Sequence, residues 1–365
     1  MADALVYVAG TLGAFYLLLV LAFWIGLHRL QPGNSDDCPT VTVVVLAHNE
    51  SRNIDACLLA LSVQDYPSDL TEVIVVDDRS TDDTACRARQ WAGRIPGLRV
   101  ICVEHQRYLC PKKNALDLGI RTGKGELILT TDADCRPSPG WVASTVRCFA
   151  PDVGIVTGYA PLISAGGVLQ GLLALQGLVV SALAAGSAGV GFPLTCSGRN
   201  LAYRRSAFNG VGGFEAIGHI LGGDDVLLMR RIASRTDWKV RFNPEIRQGV
   251  PSIPHPDNLF RRQVRYQSKA IHTGIPVLLL ALLVYIFYLM LAAGAIFSWR
   301  HPAFWPPLGA LLTVKTLADG LFLWTAASRF NNRRTMGWFP VLELVAVPYV
   351  VLFCALGAFK PLRWK

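Results

Sequence analysis

Three apolar runs in the first 135 residues of this chain stop at the same kind of place, a short cluster of acidic, amide and hydroxyl side chains. Val41-Thr-Val-Val-Val-Leu46 leads into His48-Asn-Glu50, Glu72-Val-Ile-Val-Val-Asp77 into Asp77-Asp-Arg-Ser-Thr-Asp82, and Glu126-Leu-Ile-Leu-Thr-Thr131 into Asp132-Ala-Asp134. Continuous, largely β-branched runs of this length suit strands buried on both faces. Helical patterns separate them at Asn53–Ser62, Thr84–Trp91 and Lys112–Arg121, with Asn49 or Ser51 as the expected cap of the first, and Leu98–Val103 adds another strand. Strands alternating with helices from Thr40 to about Tyr159 predict an α/β fold with a mostly parallel sheet, which binds ligands beyond the carboxyl ends of its strands. All three polar clusters fall at such ends.

The turn chemistry narrows the ligand. No Gly-x-Gly-x-x-Gly or Walker loop follows the first strand, which argues against the dinucleotide and ATP folds built on those loops. Carboxylates stand where those folds carry glycines. A carboxylate accepts a hydrogen bond from a base N–H or a ribose hydroxyl but repels bare phosphate, so a cation is needed to hold phosphate here. Asp132 and Asp134 can grip a divalent ion through oxygen; the competing reading is an acidic turn. A further pair, Asp224-Asp225, opens a helical pattern at Val226–Ile232, where carboxylates also stabilise the helix dipole.

The ends of the chain are of another kind. Of 365 residues, 52% are hydrophobic and only 17% charged, unlike an ordinary soluble enzyme. Leu5 to Leu27 carries no charge and is long enough to cross a hydrocarbon core about 30 Å thick. Its acidic start and length favour an uncleaved anchor over a signal peptide. His28 and Arg29 follow it, so the positive-inside bias sets the N-terminus outside and the next domain in the cytosol. Ile275–Ser298, Pro306–Ala327 and Phe339–Phe359 are further apolar segments, the second carrying Lys315 and Asp319 at a spacing that lets them pair, the third interrupted by Pro340, Glu343 and Pro348. Four full crossings would leave the basic tail Lys360–Lys365 outside, so one of the last two segments is a candidate for a re-entrant or interfacial helix. Val168–Gly191 is apolar too, but a crossing there would divide Asp134 from Asp225. It is read as helices packed within the domain or dipping into the interface. The expected division is an anchor at 1–30, a cytosolic domain at 38–272 and a membrane region of two or three spans at 273–365.

The formal charge of +9 is concentrated beside these segments, at Arg261, Arg262, Arg265, Lys269, Arg329, Arg333 and Arg334, which points to lipid headgroups. No zinc-finger or RNA-recognition pattern occurs, so no nucleic-acid partner is expected. Nine scattered cysteines fit reduced thiols in a cytosolic domain.

Six motifs now stand in order: Val43-Val-Val-Leu-Ala-His-Asn-Glu50, Val75-Val-Asp-Asp-Arg-Ser-Thr-Asp82, Lys112-Lys-Asn-Ala-Leu116, Asp132-Ala-Asp134, Gly223-Asp-Asp225 and Arg262-Gln-Val-Arg265-Tyr266. Over residues 40 to 270 the chain resembles the family 2 glycosyltransferases, with their GT-A nucleotide-sugar fold. Gly198-Arg-Asn-Leu-Ala-Tyr-Arg-Arg205 to Gly213-Phe214, with the C-terminal helices, is similar to membrane-bound lipid, carotenoid or ceramide glucosyltransferases. The resemblance implies that Glu50 and Asp78 contact uridine, that Asp77 shapes the turn, and that Lys112 reaches the nucleotide near its phosphates, with Lys113 an equal candidate. It implies that Asp132 binds ribose or donor sugar and shares with Asp134 a Mg²⁺ or Mn²⁺ on the diphosphate. Asp225 aligns with the general base, Asp224 being the alternative. Arg262, Arg265 and Tyr266 stand at the Gln-x-x-Arg-Trp signature that covers the donor, of which only Arg265 keeps the family residue. Gly198, Arg199 and Asn200 are candidates for the acceptor pocket, and His219 and His255 for metal or acceptor, though each lone histidine can equally be an ordinary polar residue.

Together these readings describe an inverting, metal-dependent hexosyltransferase in the cytoplasmic (inner) membrane. It would move a sugar from a UDP-sugar, UDP-glucose favoured, to a hydroxyl of a lipid-like acceptor. The base is expected to be tuned upward by its acidic neighbour Asp224. The alternatives are a processive polysaccharide synthase, disfavoured by Tyr266 in place of Trp and by the few spans, and a non-catalytic membrane scaffold. No protein partner is inferable.

Overall fold

The computed structural model describes residues 2–163, 166–253 and 259–359. Helix α1 (Ala2–Arg29) leads into β1 (Val41–Ala47), α2 (Ile54–Ser62), β2 (Thr71–Asp77), α3 (Thr84–Arg89), β3 (Arg99–Cys102), α4 (Pro111–Thr122) and β4 (Leu127–Asp132). After α5 (Trp141–Arg147) and β5 (Val153–Gly158) comes a long helix, α6 (Val168–Gly189), then β6 (Leu201–Arg204), α7 (Arg205–Gly210), α8 (Val226–Arg235) and β7 (Lys239–Asn243). Four helices follow: α9 (Leu259–Ser268), α10 (Ile275–Arg300), α11 (Trp305–Arg329) and α12 (Phe339–Phe359).

The strands form one sheet in the order β3-β2-β1-β4-β6-β5-β7. Only β6 runs antiparallel to its neighbours β4 and β5; every other pairing is parallel. The alternation of side chains along β1 divides the core. Val41, Val43 and Val45 pack with Ile54, Leu58, Trp141 and Val146 of α2 and α5. Val44 and Leu46 pack on the other side with Leu116, Ile120, Phe208 and Leu228 of α4, α7 and α8. Burial on both faces is why these strands are continuous apolar runs. The expected cap of α2 is not used. Asn53 holds the cap position without a side-chain bond. Asn49 instead takes a left-handed φ of 56° and its Oδ1 accepts from the Thr81 N–H at 2.8 Å, so it locks the first two strand-end loops to each other.

Helix α6 is a single helix rather than several. It leaves the sheet after β5 and returns to β6, and Thr157 of β5 pairs with Leu201 of β6, so the excursion begins and ends at one sheet edge. Its apolar face joins Phe23 and Leu27 of α1, Phe322, Leu323 and Ala326 of α11, and Tyr159 and Phe242 of the sheet in one buried cluster. Glycines permit the approach: a Cβ on Gly26 would overlap the Gly186 carbonyl, and one on Gly189 would overlap that of Gly26. Among the described residues five helices, α1, α6, α10, α11 and α12, are long and apolar enough to cross a membrane by length and composition.

Helix α12 does not run back alongside α11. Phe339 stands by Gly320 and Glu343 meets Lys315 at 2.7 Å. The Tyr285 hydroxyl then reaches the Val351 carbonyl of α12, and Gly357 abuts Gln267 and Ser268 of α9. The far end of α12 therefore lies against α9.

A buried polar cluster joins these helices. Lys315 bonds to Asp319 at 2.9 Å and to Glu343, and the Tyr16 hydroxyl of α1 donates to Asp319 at 2.8 Å. The pairing foreseen within α11 forms, with Glu343 added from α12. Replacing Lys315 by Met would leave two buried carboxylates without their cation, a loss of about 3 kcal/mol or more for a buried pair. Thermal unfolding in detergent is expected to show that loss for Lys315→Met, and most of it recovered in Lys315→Met with Asp319→Asn and Glu343→Gln.

Candidate active site

Strand register brings the polar clusters together. Leu46 of β1 is paired with Asp132 of β4 and Ala47 with Asp77 of β2, so the two acidic ends flank the end of β1. Asp77 is buried and its Oδ2 accepts from the Ser80 N–H at 3.2 Å, shaping the turn. Oδ1 of the same residue is buried without a partner. Asp78 lies beside Arg79, Oδ1 to Nε 3.0 Å. The Glu50 N–H donates to Thr84 Oγ1 and its Oε2 accepts from Asn53.

The two lysines of α4 separate cleanly. Lys113 is fully buried and donates to the carbonyls of Ile217 and Ile220, the latter at 2.8 Å, so it ties down the loop ahead of Asp224. Lys112 enters the cleft, where its Nζ lies 2.9 Å from Asp132 Oδ1 and 3.6 Å from Asp224 Oδ2. Burial alone would lower the Lys112 pKa, but these two carboxylates hold it well above the ordinary lysine value. Burial pushes the Asp132 carboxyl up; Lys112 pulls it down and Asp134 up again, and the balance stays above the usual range.

Asp225 caps α8, its Oδ1 accepting from the Val226 N–H at 2.7 Å. The same oxygen accepts from Lys269 Nζ at 3.2 Å. The expected upward tuning of this carboxyl is corrected. Burial does push it up, but Lys269, the Val226 N–H and Lys112 outweigh that and bring it down to about 2. The sequence shows two adjacent acids; it does not show two lysines, from α4 and from just beyond α9, folding onto them. Lys269 is a site residue that sequence reasoning took only as part of a basic interfacial helix. Gly198 completes this corner, for a Cβ there would stand 3.4 Å from Asp224 Oδ2 and Asp225 Cβ and 3.5 Å from Lys112 Nζ.

Asp134 is anchored from a third direction, its Oδ2 accepting from Ser252 Oγ at 2.9 Å. Ser252 also forms backbone bridges with Cys135 and Leu162. Among the described residues no three His, Cys, Asp or Glu side chains gather closely enough to hold an ion by themselves. Asp132 and Asp134 offer hard oxygen donors alone, and that set fits an ion such as Mg²⁺, which commonly takes one or two carboxylates and completes its shell with phosphate oxygens and water.

In α9, Arg265 approaches Gly222 of the loop before Asp224, Arg262 lies one turn before Tyr266, and Tyr266 is about half exposed with its ring 5.7 Å from Lys269 Nζ. Arg199 donates to the Ala160 carbonyl at 2.9 Å. Asn200 is buried behind the cleft, its Oδ1 accepting from Trp141 Nε1 and its Nδ2 donating to the Tyr159 carbonyl, both at 2.9 Å. Its amide is thus engaged in tying the start of β6 to α5 and to the residue after β5, which leaves Gly198 as the member of that triplet in the acidic corner. His219 is exposed; His255 lies outside the described residues.

Residues 42–211 match the model of glycosyl transferase family 2. The chain is 28% identical over 215 residues to the probable glycosyltransferase YdaM of Bacillus subtilis, covering 58% of this chain and 50% of that one. It is 36% identical over 108 residues to the dodecaprenyl-phosphate galacturonate synthase of Rhizobium johnstonii, covering 29% and 31%. The chain thus spans half or less of the length of these relatives. The fold is also that of the mannosyltransferase PcManGT from Pyrobaculum calidifontis, in complex with GDP-Man and Mn²⁺, with a TM-score of 0.55 and 23% identity over 94% of this chain and 99% of that one.

Asn200→Ala would strand the Trp141 N–H and the Tyr159 carbonyl inside the protein, at about 1–3 kcal/mol for each unsatisfied group. Denaturation monitored by tryptophan fluorescence is expected to show a loss in that range, and an unchanged midpoint would contradict the structural role of this amide.

Proposed function

Because the chain is a family 2 glycosyltransferase, we propose that it moves a sugar from a UDP-sugar, UDP-glucose foremost, to a hydroxyl of a lipid-like acceptor at the cytoplasmic face of a membrane. One observation carries this reading: Lys112 joins Asp132, at the donor-side strand end, to Asp224, beside the candidate base. Glu50, Asp77 and Asp78 would take base and ribose. Lys112, Arg262 and Arg265 would take the diphosphate, and Tyr266 would close over the donor. A Mg²⁺ or Mn²⁺ held by Asp134 and Asp132 would supply Lewis-acid stabilisation of the charge on the departing nucleotide.

Asp225 would accept the proton of the acceptor hydroxyl as its oxygen bonds to the anomeric carbon. The bond from that carbon to the diphosphate breaks at the same time, and the electron pair leaves with UDP. A single displacement inverts the anomeric configuration. The name of the Rhizobium relative, which specifies dodecaprenyl phosphate, supports a lipid-like acceptor. So does the shared core of α1, α6 and α11 with the sheet, which seats the catalytic domain on the apolar helices.

For the membrane part we infer three crossings, α1, α10 and α11, with the N-terminus outside and the catalytic domain in the cytosol. The return of α12 to α9 supports a re-entrant segment, dipping in beside Lys315 and emerging on the catalytic side. Green fluorescent protein fused after Lys365 is then expected to fluoresce and alkaline phosphatase there to be inactive; the opposite pattern would restore a fourth crossing.

The function is tested with full-length protein in lipid nanodiscs, a panel of UDP-sugars with GDP-mannose beside them, and lipid extract as acceptor. UDP release coupled to a new glycolipid of inverted linkage is expected, with kcat about 10² to 10⁴-fold lower in Asp225→Asn. A retained linkage, or full activity in Asp225→Asn, would contradict the reading.

A further inference from the structure

Both hydrogen bonds to the Asp225 carboxylate fall on one oxygen. Oδ1 takes the Val226 N–H at 2.7 Å and Lys269 Nζ at 3.2 Å, and among the described residues no donor meets Oδ2. Lys269 is itself held: only about an eighth of its side chain is exposed, its ammonium lies 5.7 Å from the centre of the Tyr266 ring, and its Cε would be 3.4 Å from a Cβ on Gly222. The helix end fixes Oδ1 from one side and the lysine from the other.

We propose that Lys269 is a positioning residue for Asp225, clamping Oδ1 against the first turn of α8 so that Oδ2 alone is presented, ionised, to the acceptor hydroxyl. The proposal rests on Asp225 being the base. It assigns a role to a lysine outside all six sequence motifs. The charged and titratable groups that face Asp225 are Lys269 from the end of α9, Lys112 and Lys113 from α4, Asp224 beside it, and Cys196 from the loop before β6. Of these, Lys269 alone bonds to the carboxylate. Burial would raise the carboxyl and the lysine opposes it, so removing the lysine moves the ionisation upward. The base is then lost as pH falls through a range where the native protein keeps it.

The test compares wild type, Lys269→Met, Lys269→Gln and Lys269→Arg in nanodiscs, with kcat/KM followed from pH 4 to 9 on the active donor. Met and Gln are expected to bring into this range an acid limb that the wild type lacks there, with donor KM within about threefold and activity at high pH within about tenfold. Arg is expected to restore the wild-type profile. The same shift should appear without turnover, in the infrared carboxyl band lost on Asp225→Asn in each background. Gln keeps a donor in place, so it reports where Met fails to fold. An unchanged pH profile and infrared band, or a loss confined to donor KM, would overturn the proposal. Should the wild type transfer no sugar while the infrared band still shifts, the functional reading fails and the clamp stands.

Discussion

The site depends on one ammonium group. Asp132 ends a sheet strand and Asp224 precedes α8, and nothing in the backbone forces these two carboxylates to lie close. Lys112 Nζ reaches both, at 2.9 and 3.6 Å. Without that cation the two sides of the cleft would carry like charges in a partly dehydrated space and would repel each other. Lys269 repeats the arrangement at Asp225. The cleft is therefore an alternation of acid and base drawn from four places in the chain, in which the lysines hold the Asp225 carboxylate ionised where burial disfavours charge.

Much of the frame was legible before any coordinates. Continuous β-branched runs gave the strands, and acidic clusters at their ends marked the binding edge, because a parallel sheet exposes its carboxyl ends together. What could not be read depends on rotation and on distant partners. Lys112 and Lys113 are the same residue type one position apart, yet about 100° of helix turn sends one into the cleft and the other under the Ile217–Ile220 loop. Asn200 sits in a motif with Gly198 and Arg199, but the fold spends its amide on Trp141 and Tyr159. The pair Asp224-Asp225 suggested mutual repulsion, and lysines remote in sequence reverse the sign for Asp225.

The long apolar helices show the same limit. Hydropathy measures whether a segment is long and apolar enough, not what it packs against, and α12 passes that measure as α10 does. Its path is set by Glu343 at one end, which answers Lys315, and by Gly357 at the other, which lets the helix lie on α9. Through α9 that helix touches the segment leading to Lys269. The apolar helices are thus continuous, through α9, with the segment that carries Lys269 into the cleft.

The central claim is that Lys112 couples the two sides of the cleft, and a double-mutant cycle of Lys112→Met with Asp224→Asn on kcat/KM tests it most directly. The account predicts strong non-additivity, a coupling of at least about 1 kcal/mol, with the double variant little worse than the more damaged single variant. Losses that simply add would contradict it.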